Sequence, residues 1–377
     1  MSALHIDQII PTHNISVPTL LLNERICREN IAAMCGRAKA HGVAFRPHFK
    51  THQSHAIGAW FREAGVSAIT VSSLKMAQYF AADGWNDITV AFPVNILEID
   101  RIRDLASRVS LNLLALDPEP LALLEREVDR PVGIFIKIDA GYGRTGIPSM
   151  EVQAVEACLR QMARTKKLRF RGFVAHAGNT YRAGSREEIL AIHETTRQRI
   201  SELGGRYKLE FPDLVVSIGD TPGCSLADNF EGIDEMRPGN FVFYDAMQMQ
   251  LGSCTLAQVA VVMACPVVAL HPGRKRCIVY GGAIHFSKDY IMTSREQNFG
   301  PVVQLAGNGW SAPVEGALMS SLSQEHGIIS SRPDFLKSLK IGSLVGVIPV
   351  HSCLTADCMR GYVTIEGKQI DHMAGSH

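Results

Sequence analysis

The chain has 377 residues, 46% of them hydrophobic, with 38 Lys and Arg against 37 Asp and Glu and a formal net charge of +1. A chain of this length buries a large core in one or two domains, and its even charge, with no basic stripe or acidic tail, disfavours nucleic-acid and membrane-surface partners. Nine scattered cysteines without a CxxC, no basic-then-apolar leader and no apolar run of about 18 residues predict a soluble cytoplasmic protein with buried thiols.

From Pro18 short apolar runs alternate with helical periodicity. "PTLLLN" reads as a strand, and "ERICRENIAAMCGRAKAHG" as a helix ending at Gly42. "VAFRPHF" is the next strand, with Lys50 at its C-terminal end, and "HAIGAWFREAG" the next helix. The strands "AITVSS", "DITVAFP", "SLNLLALD", "VGIFIKIDAG", "LRFRGFVAHAG", "DLVVSIGD" and "EMRPGNFVFYD" follow, most of them separated by amphipathic helices. Such alternation means parallel strands with crossover helices, and some eight units over about 230 residues predict a (β/α)8 TIM barrel. No GxGxxG opens the first helix, which counts against a dinucleotide fold. After Gln250 the texture becomes strand-rich with Gly and Pro breaks, which predicts a mainly antiparallel β domain. The expected division is therefore a barrel over 18–250, and a β domain made of 1–17 with 251–377.

A barrel carries its active site at the C-terminal ends of its strands. Polar groups stand at nearly every one: His48 and Lys50, Ser72 and Ser73, Asp139 and Arg144, His176, Asn179 and Tyr181, Ser217, Gly219, Asp220 and Thr221, then Arg237, Gly239, Tyr244 and Asp245. Lys50 lies among His48, His52 and His55 in "FRPHFKTHQSH". A lysine near other cations or poorly solvated becomes a nucleophile, though this window alone also suits a basic surface turn. "SIGDTP" is a turn whose amides and hydroxyls could cradle a phosphate, or simply a turn before a helix. Near the C-terminus "SQEHG" (323–327) and "HSCLTADC" (351–358) carry ligand-type groups. In a strand His351 and Cys353 would share a face and could grip one metal ion; the alternative is a buried thiol beside a structural histidine. His193 reads as a surface or packing residue, His271 as part of a turn, and Cys27, Cys35 and Cys158 as core. His285 and Asp289 stay ambiguous, with a partner subunit's site one possible destination.

Together "RPHFKTH", "HAGNTY", "SIGDTP", "RPGNFVFYD", "SQEHG" and "PVHSCLTA" resemble, in order and over nearly the whole chain, the motifs of fold-type III pyridoxal-phosphate (PLP) enzymes. The closest group is the D-serine dehydratase and D-threonine aldolase family, similar in fold to alanine racemase. The resemblance implies that Lys50 is the Schiff-base lysine and that His176 lies against the pyridine ring, with Arg144 or a neighbour on its nitrogen side and Tyr181 near the imine. It gives Ser217, Gly219, Thr221, Gly239 and Asn240 to the phosphate, and His351 and Cys353 to a divalent metal, zinc or else magnesium or manganese. It also implies a homodimer and a small-molecule D-amino acid substrate. Within the family, loss of a β-hydroxyl after removal of the α-proton gives a keto acid and ammonia, cleavage of Cα–Cβ gives glycine and an aldehyde, and reprotonation alone racemises. The dehydratase branch carries His-x-Cys and the aldolase branch His-x-Asp, so "HSCLTA" favours elimination over retro-aldol cleavage. A non-catalytic PLP-binding protein is the remaining alternative.

Overall fold

The computed structural model of the protein describes residues 15–307 and 309–374. These fall into two compact units, residues 31–241, and residues 15–30 with 242–374. In chain order the first strands are β1 (Thr19–Leu22), β2 (Ala44–Phe45), β3 (Ile69–Val71), β4 (Asp87–Pro93), β5 (Ser110–Ala115) and β6 (Val132–Asp139). Then come β7 (Ile147–Pro148), β8 (Leu168–Val174), β9 (Val215–Ile218) and β10 (Glu235–Met236). The helices among them are α1 (Glu24–Ala40), α2 (His55–Glu63), α3 (Leu74–Ala82), α4 (Ile99–Arg108), α5 (Pro118–Glu127), α6 (Val152–Met162), α7 (Arg186–Tyr207) and α8 (Thr221–Leu226).

The first unit is the barrel. Eight parallel strands pair in the order β2-β10-β9-β8-β6-β5-β4-β3, with the short β7 attached to β6. The ring closes where His48 bridges Thr70: Phe49 N–H donates to the Thr70 carbonyl at 2.8 Å, and Thr70 N–H to the Pro47 carbonyl at 2.9 Å. β6 is buried from Val132 to Ile138, as a parallel strand covered on both faces must be. Helices α2, α3, α5 and α7 start where the sequence places a capping side chain. Ser54, Ser73, Asp117 and Ser185 accept from the amides of Ile57, Met76, Glu119 and Glu188, which satisfies donors that the first turn otherwise leaves open.

One strand falls outside the barrel. β1 pairs antiparallel with Val261–His271, called β11, from Thr19↔Ala264 to Leu22↔Val261, and parallel with Tyr362–Thr364. It belongs to the second unit, so the expected limits of 18 and 250 move to 31 and 241. Leu20, Leu21 and Leu22 are all buried, and an apolar run of this kind carries no mark of which sheet will cover it. The last expected strand is also cut short. β10 ends at Met236, and Asn240–Val242 forms a 3-10 turn after Pro238-Gly239.

The second unit is a mainly antiparallel sheet around β11, which also pairs with Arg276–Tyr280 and with Leu344–Val347. His326–Ser330 and Leu318–Leu322 extend the sheet beyond Arg276–Tyr280. Of the expected β domain, residues 1–14 and 375–377 lie outside the described residues. Among the described residues no helix is long and apolar enough to cross a membrane.

Candidate active site

Lys50 stands in the turn after β2, exposed, with its amide 3.4 Å from Nδ1 of His48. Pro47 ends the strand early, so the lysine sits in a turn and not on the strand itself. His176 follows β8, and its Nδ1–H donates to the carbonyl of Gly219, because a carbonyl can only accept. Burial first, then the charges of Lys137, Arg144 and Lys50, push this imidazole down to about 3. His48 is held well below the usual histidine range by burial and by Lys50, Arg237 and His176. Both rings are therefore neutral, and the predicted residues His48, Lys50, Arg144 and His176 do share one electrostatic neighbourhood.

Lys137, near the C-terminal end of β6, was missed in the sequence. It is buried, donates to the Ile138 carbonyl at 3.3 Å, and is lowered to about 7 by burial and then by Arg237 and Arg144. A lysine inside the otherwise apolar run "VGIFIKID" was the available signal. Tyr142 was missed too. Its ring meets that of His176 edge-on at 5.8 Å, and the exposed Arg144 guanidinium lies over it, 5.1 Å from the ring centroid. Asp139 does not offset these cations freely. Its carboxylate accepts from the amides of Gly141, Tyr142 and Gly143 at 2.9 Å, and these bonds outweigh burial and keep it below its ordinary range.

Around α8 the predicted phosphate residues separate into two groups. The phenol oxygen of Tyr181 accepts from Thr221 N–H at 3.1 Å. Asp220 caps the helix, taking Gly223 N–H at 2.6 Å and the Thr180 hydroxyl at 2.9 Å, and burial raises its carboxyl. The Thr221 hydroxyl is buried and has no partner. A Cβ on Gly219 would stand 2.8 Å from the Arg237 carbonyl, and one on Gly239 2.8 Å from the His48 carbonyl, so neither position holds a side chain. Asn240 is buried beside Gly239.

Ser217 points elsewhere. Its hydroxyl donates to Glu235 and accepts from Arg237 Nε, each at 2.7 Å. Arg237 also donates to the Ala175 carbonyl at 2.8 Å, and Glu235 takes Arg46 Nε at 2.6 Å. Arg46 grips both oxygens of Asp87 at 2.7 and 3.1 Å, and Asn112 donates to the same carboxylate at 3.1 Å. This chain of charges fills the barrel interior and ties β2, β4, β9 and β10 together. Arg46 and Arg237 are both buried guanidinium groups of this network, whereas Arg144 is exposed.

The residues fit a phosphorylated aldehyde. Lys50 offers the amine, the cations Lys137, Arg144 and Arg237 stand near two neutral imidazoles, and the orphaned Thr221 hydroxyl lies at the start of α8, two residues after Gly219. An anionic ligand would offset both the burial and the neighbouring cations that depress Lys137.

His351 and Cys353, the predicted metal ligands, lie in the second unit. The strand geometry expected for His-x-Cys is not found. His351 is instead the N-cap of a helix, Ser352–Met359, and Cys353 is buried in its first turn. The two side chains still meet through a hydrogen bond. Asp289 joins them, with Oδ2 3.4 Å from His351 Nδ1. Burial opposes the imidazolium, but Asp289 and Cys353 outweigh it and raise His351 to about 11. Imidazole and thiolate are apt ligands for a divalent ion of zinc type. No cluster of three or more His, Cys, Asp or Glu set to hold a metal occurs among the described residues.

Barrel, β domain and amine-centred cluster define a PLP enzyme of alanine racemase architecture. Residues 23–246 match the family "Alanine racemase, N-terminal domain", and residues 260–365 match "Putative serine dehydratase domain". The chain is 30% identical to the D-serine dehydratase of Dictyostelium discoideum, with 94% of each chain covered. It is 28% identical to the D-threo-3-hydroxyaspartate dehydratase of Delftia sp. (strain HT23), over 90% of this chain and 92% of that one. The solved structure of the Delftia enzyme superposes with a TM-score of 0.89 at 26% identity, covering 98% of this chain and 100% of that one. A cysteine-to-alanine mutant of a D-threo-3-hydroxyaspartate dehydratase, in a metal-free form, superposes equally well, with the same TM-score, identity and coverage. The chain belongs to the D-serine dehydratase family of PLP-dependent lyases.

Proposed function

We propose that the enzyme removes the β-hydroxyl and the amino group from a D-configured 3-hydroxy amino acid, such as D-serine or D-threo-3-hydroxyaspartate, yielding a keto acid and ammonia. The observation that carries this choice is the meeting of His351 with a thiol, Cys353, where a carboxylate would favour the aldolase reading. Held at Lys50, the cofactor supplies an electron sink for charge left at Cα. Lys50, the amine of this cluster, would serve as the base for the α-proton. His48 and His176 stay uncharged beside it and add no further cation. Arg144, Lys137 and Arg237 set a positive field that favours anionic ligands, and Tyr181 is fixed beside α8 by the Thr221 amide. Thr221, Gly219, Gly239 and Asn240 are the phosphate residues, while Ser217 serves through Arg237 and Glu235. A divalent ion held by His351 and Cys353, zinc by preference for thiolate, would supply Lewis acidity for a departing hydroxyl, a poor leaving group unaided.

Nine free thiols support the reading of a reducing, cytoplasmic compartment, and the family resemblance supports a homodimer, which light scattering on an eluting peak will measure. The deciding assay offers the purified enzyme D-serine, D-threo-3-hydroxyaspartate and D-threonine, with and without chelator. Keto acid and ammonia that disappear on chelation are expected. Glycine and an aldehyde would replace this reading with retro-aldol cleavage. Lys50→Ala should abolish turnover and borohydride trapping of the cofactor, and a trapped adduct on any other residue overturns the assignment of Lys50.

A further inference from the structure

Two carboxylates surround the His351–Cys353 pair, and each is committed to a different part of it. Asp289 Oδ2 faces Nδ1 of His351 at 3.4 Å. A nitrogen facing a carboxylate carries the proton, so in the neutral ring the lone pair is on Nε2. Asp289 is itself held: the Ser287 hydroxyl donates to Oδ2 at 3.0 Å, and Asp289 N–H donates back to that hydroxyl at 3.3 Å. Ser287 adopts φ 74°, a conformation that side-chain-bearing residues avoid. That turn is fastened to the metal helix, because Thr355 Oγ1 donates to the carbonyl of Phe286 at 3.0 Å.

Asp245 acts on the other half. It is buried at 1% exposure and caps two helices at once. Its Oδ1 accepts Gln248 N–H at 2.9 Å at the start of Ala246–Gln250, and its Oδ2 accepts Ser352 N–H at 2.9 Å and the Ser352 hydroxyl at 3.2 Å. Ser352 lies between the two ligand residues, so this clamp fixes the backbone from which both project. Ala246 and Met247 add amide bonds to the carbonyls of Pro349 and Val350 at 3.0 and 3.2 Å, just before His351.

We propose that Asp289 and Asp245 are positioning residues for the divalent ion: Asp289 sets the tautomer and ring plane of His351, and Asp245 sets the backbone that presents Cys353. The inference rests on the reading that His351 and Cys353 bind a metal. Outer groups of this kind govern affinity by roughly 10- to 100-fold.

The test titrates Co2+ into the chelator-stripped, PLP-loaded enzyme, reading the thiolate-to-cobalt charge-transfer band, and then displaces it with Zn2+ to obtain an affinity. Wild type should show the band and Cys353→Ala should lose it. Asp289→Asn should keep the band, shift the cobalt d–d transitions and weaken Zn2+ by roughly 10- to 100-fold. Asp245→Asn, which can accept from only one of the two helix amides, should diminish the band itself and weaken Zn2+ to a similar degree. Ser352→Ala removes one contact of the clamp and should give a smaller loss, which keeps the clamp testable if Asp245→Asn does not fold. Wild-type affinity and spectra in Asp289→Asn and Ser352→Ala would overturn the inference while leaving metal binding intact. A wild-type protein without the band would overturn the metal reading and this inference together.

Discussion

Lys137 is a primary amine in the wall of the barrel, and its protonation is tied to folding. Its buried position and the cations Arg237 and Arg144 bring it from an ordinary 10.5 to about 7, while Asp139 pulls weakly the other way. Between about pH 7 and 10.5 the unfolded chain holds a proton there that the folded chain has released. Stability therefore rises with pH across that window, and below it the full cost of a buried cation is present. Lys137→Met, similar in length and uncharged, should raise the melting temperature of the cofactor-free protein by several degrees at pH 6 and by little at pH 10. An equal change at both values would show that packing, not charge, governs the site. The residue also marks a limit of sequence reading. One lysine in a strand is visible, but the burial that depresses it, and Arg237 a hundred residues further on, come only with the fold.

At the level of elements, the alternation of strand and helix was legible because each βα unit writes its own signals: a buried apolar run, a Ser or Asp cap, then an amphipathic stretch. Lys50, His48, Arg144 and His176 were singled out in this way, since position near a strand end is local information. The helix Ser352–Met359 was not. It follows the β-rich run "GSLVGVIPV", and the amide of its first residue is satisfied by Asp245, more than a hundred residues away, so nothing nearby announces it. The loops after β2 and β10 show the same dependence on distance. Gly239 passes so close to His48 that a Cβ would sit 2.8 Å from its carbonyl oxygen and 3.0 Å from its Cβ. Gly239→Ala should push the Lys50 turn away from this loop, cost about 1–3 kcal/mol and weaken PLP by at least tenfold. Equilibrium dialysis of the cofactor checks it, and wild-type affinity would remove Gly239 from the phosphate residues.

Over each folded unit as a whole, architecture was more legible than interior. The barrel followed from the count of βα units, and the β domain from the change of texture after Gln250. The filling of the barrel did not follow, because Arg46 and Glu235 lie at opposite ends of it in sequence and meet only when the ring closes. Two acids, Asp87 and Glu235, balance Arg46 and Arg237 there. Glu235→Gln leaves two buried guanidinium groups with one carboxylate, and breaking such a set costs about 3–5 kcal/mol. The urea midpoint should fall by the corresponding amount with an unchanged slope. A shift under about 0.5 kcal/mol would mean that the network is solvated and does not brace the barrel.

The pairing of β1 has a consequence for biosynthesis. Thr19 pairs with Ala264, which is translated roughly 245 residues later. At about 5–20 residues per second that interval is of the order of 10–50 s, and throughout it an exposed Leu-Leu-Leu edge waits while strands translated in between are free to join one another. β1 is thus the stretch of the nascent protein most in need of a chaperone, and slowing translation between codons 31 and 241 should lengthen its exposure to aggregation.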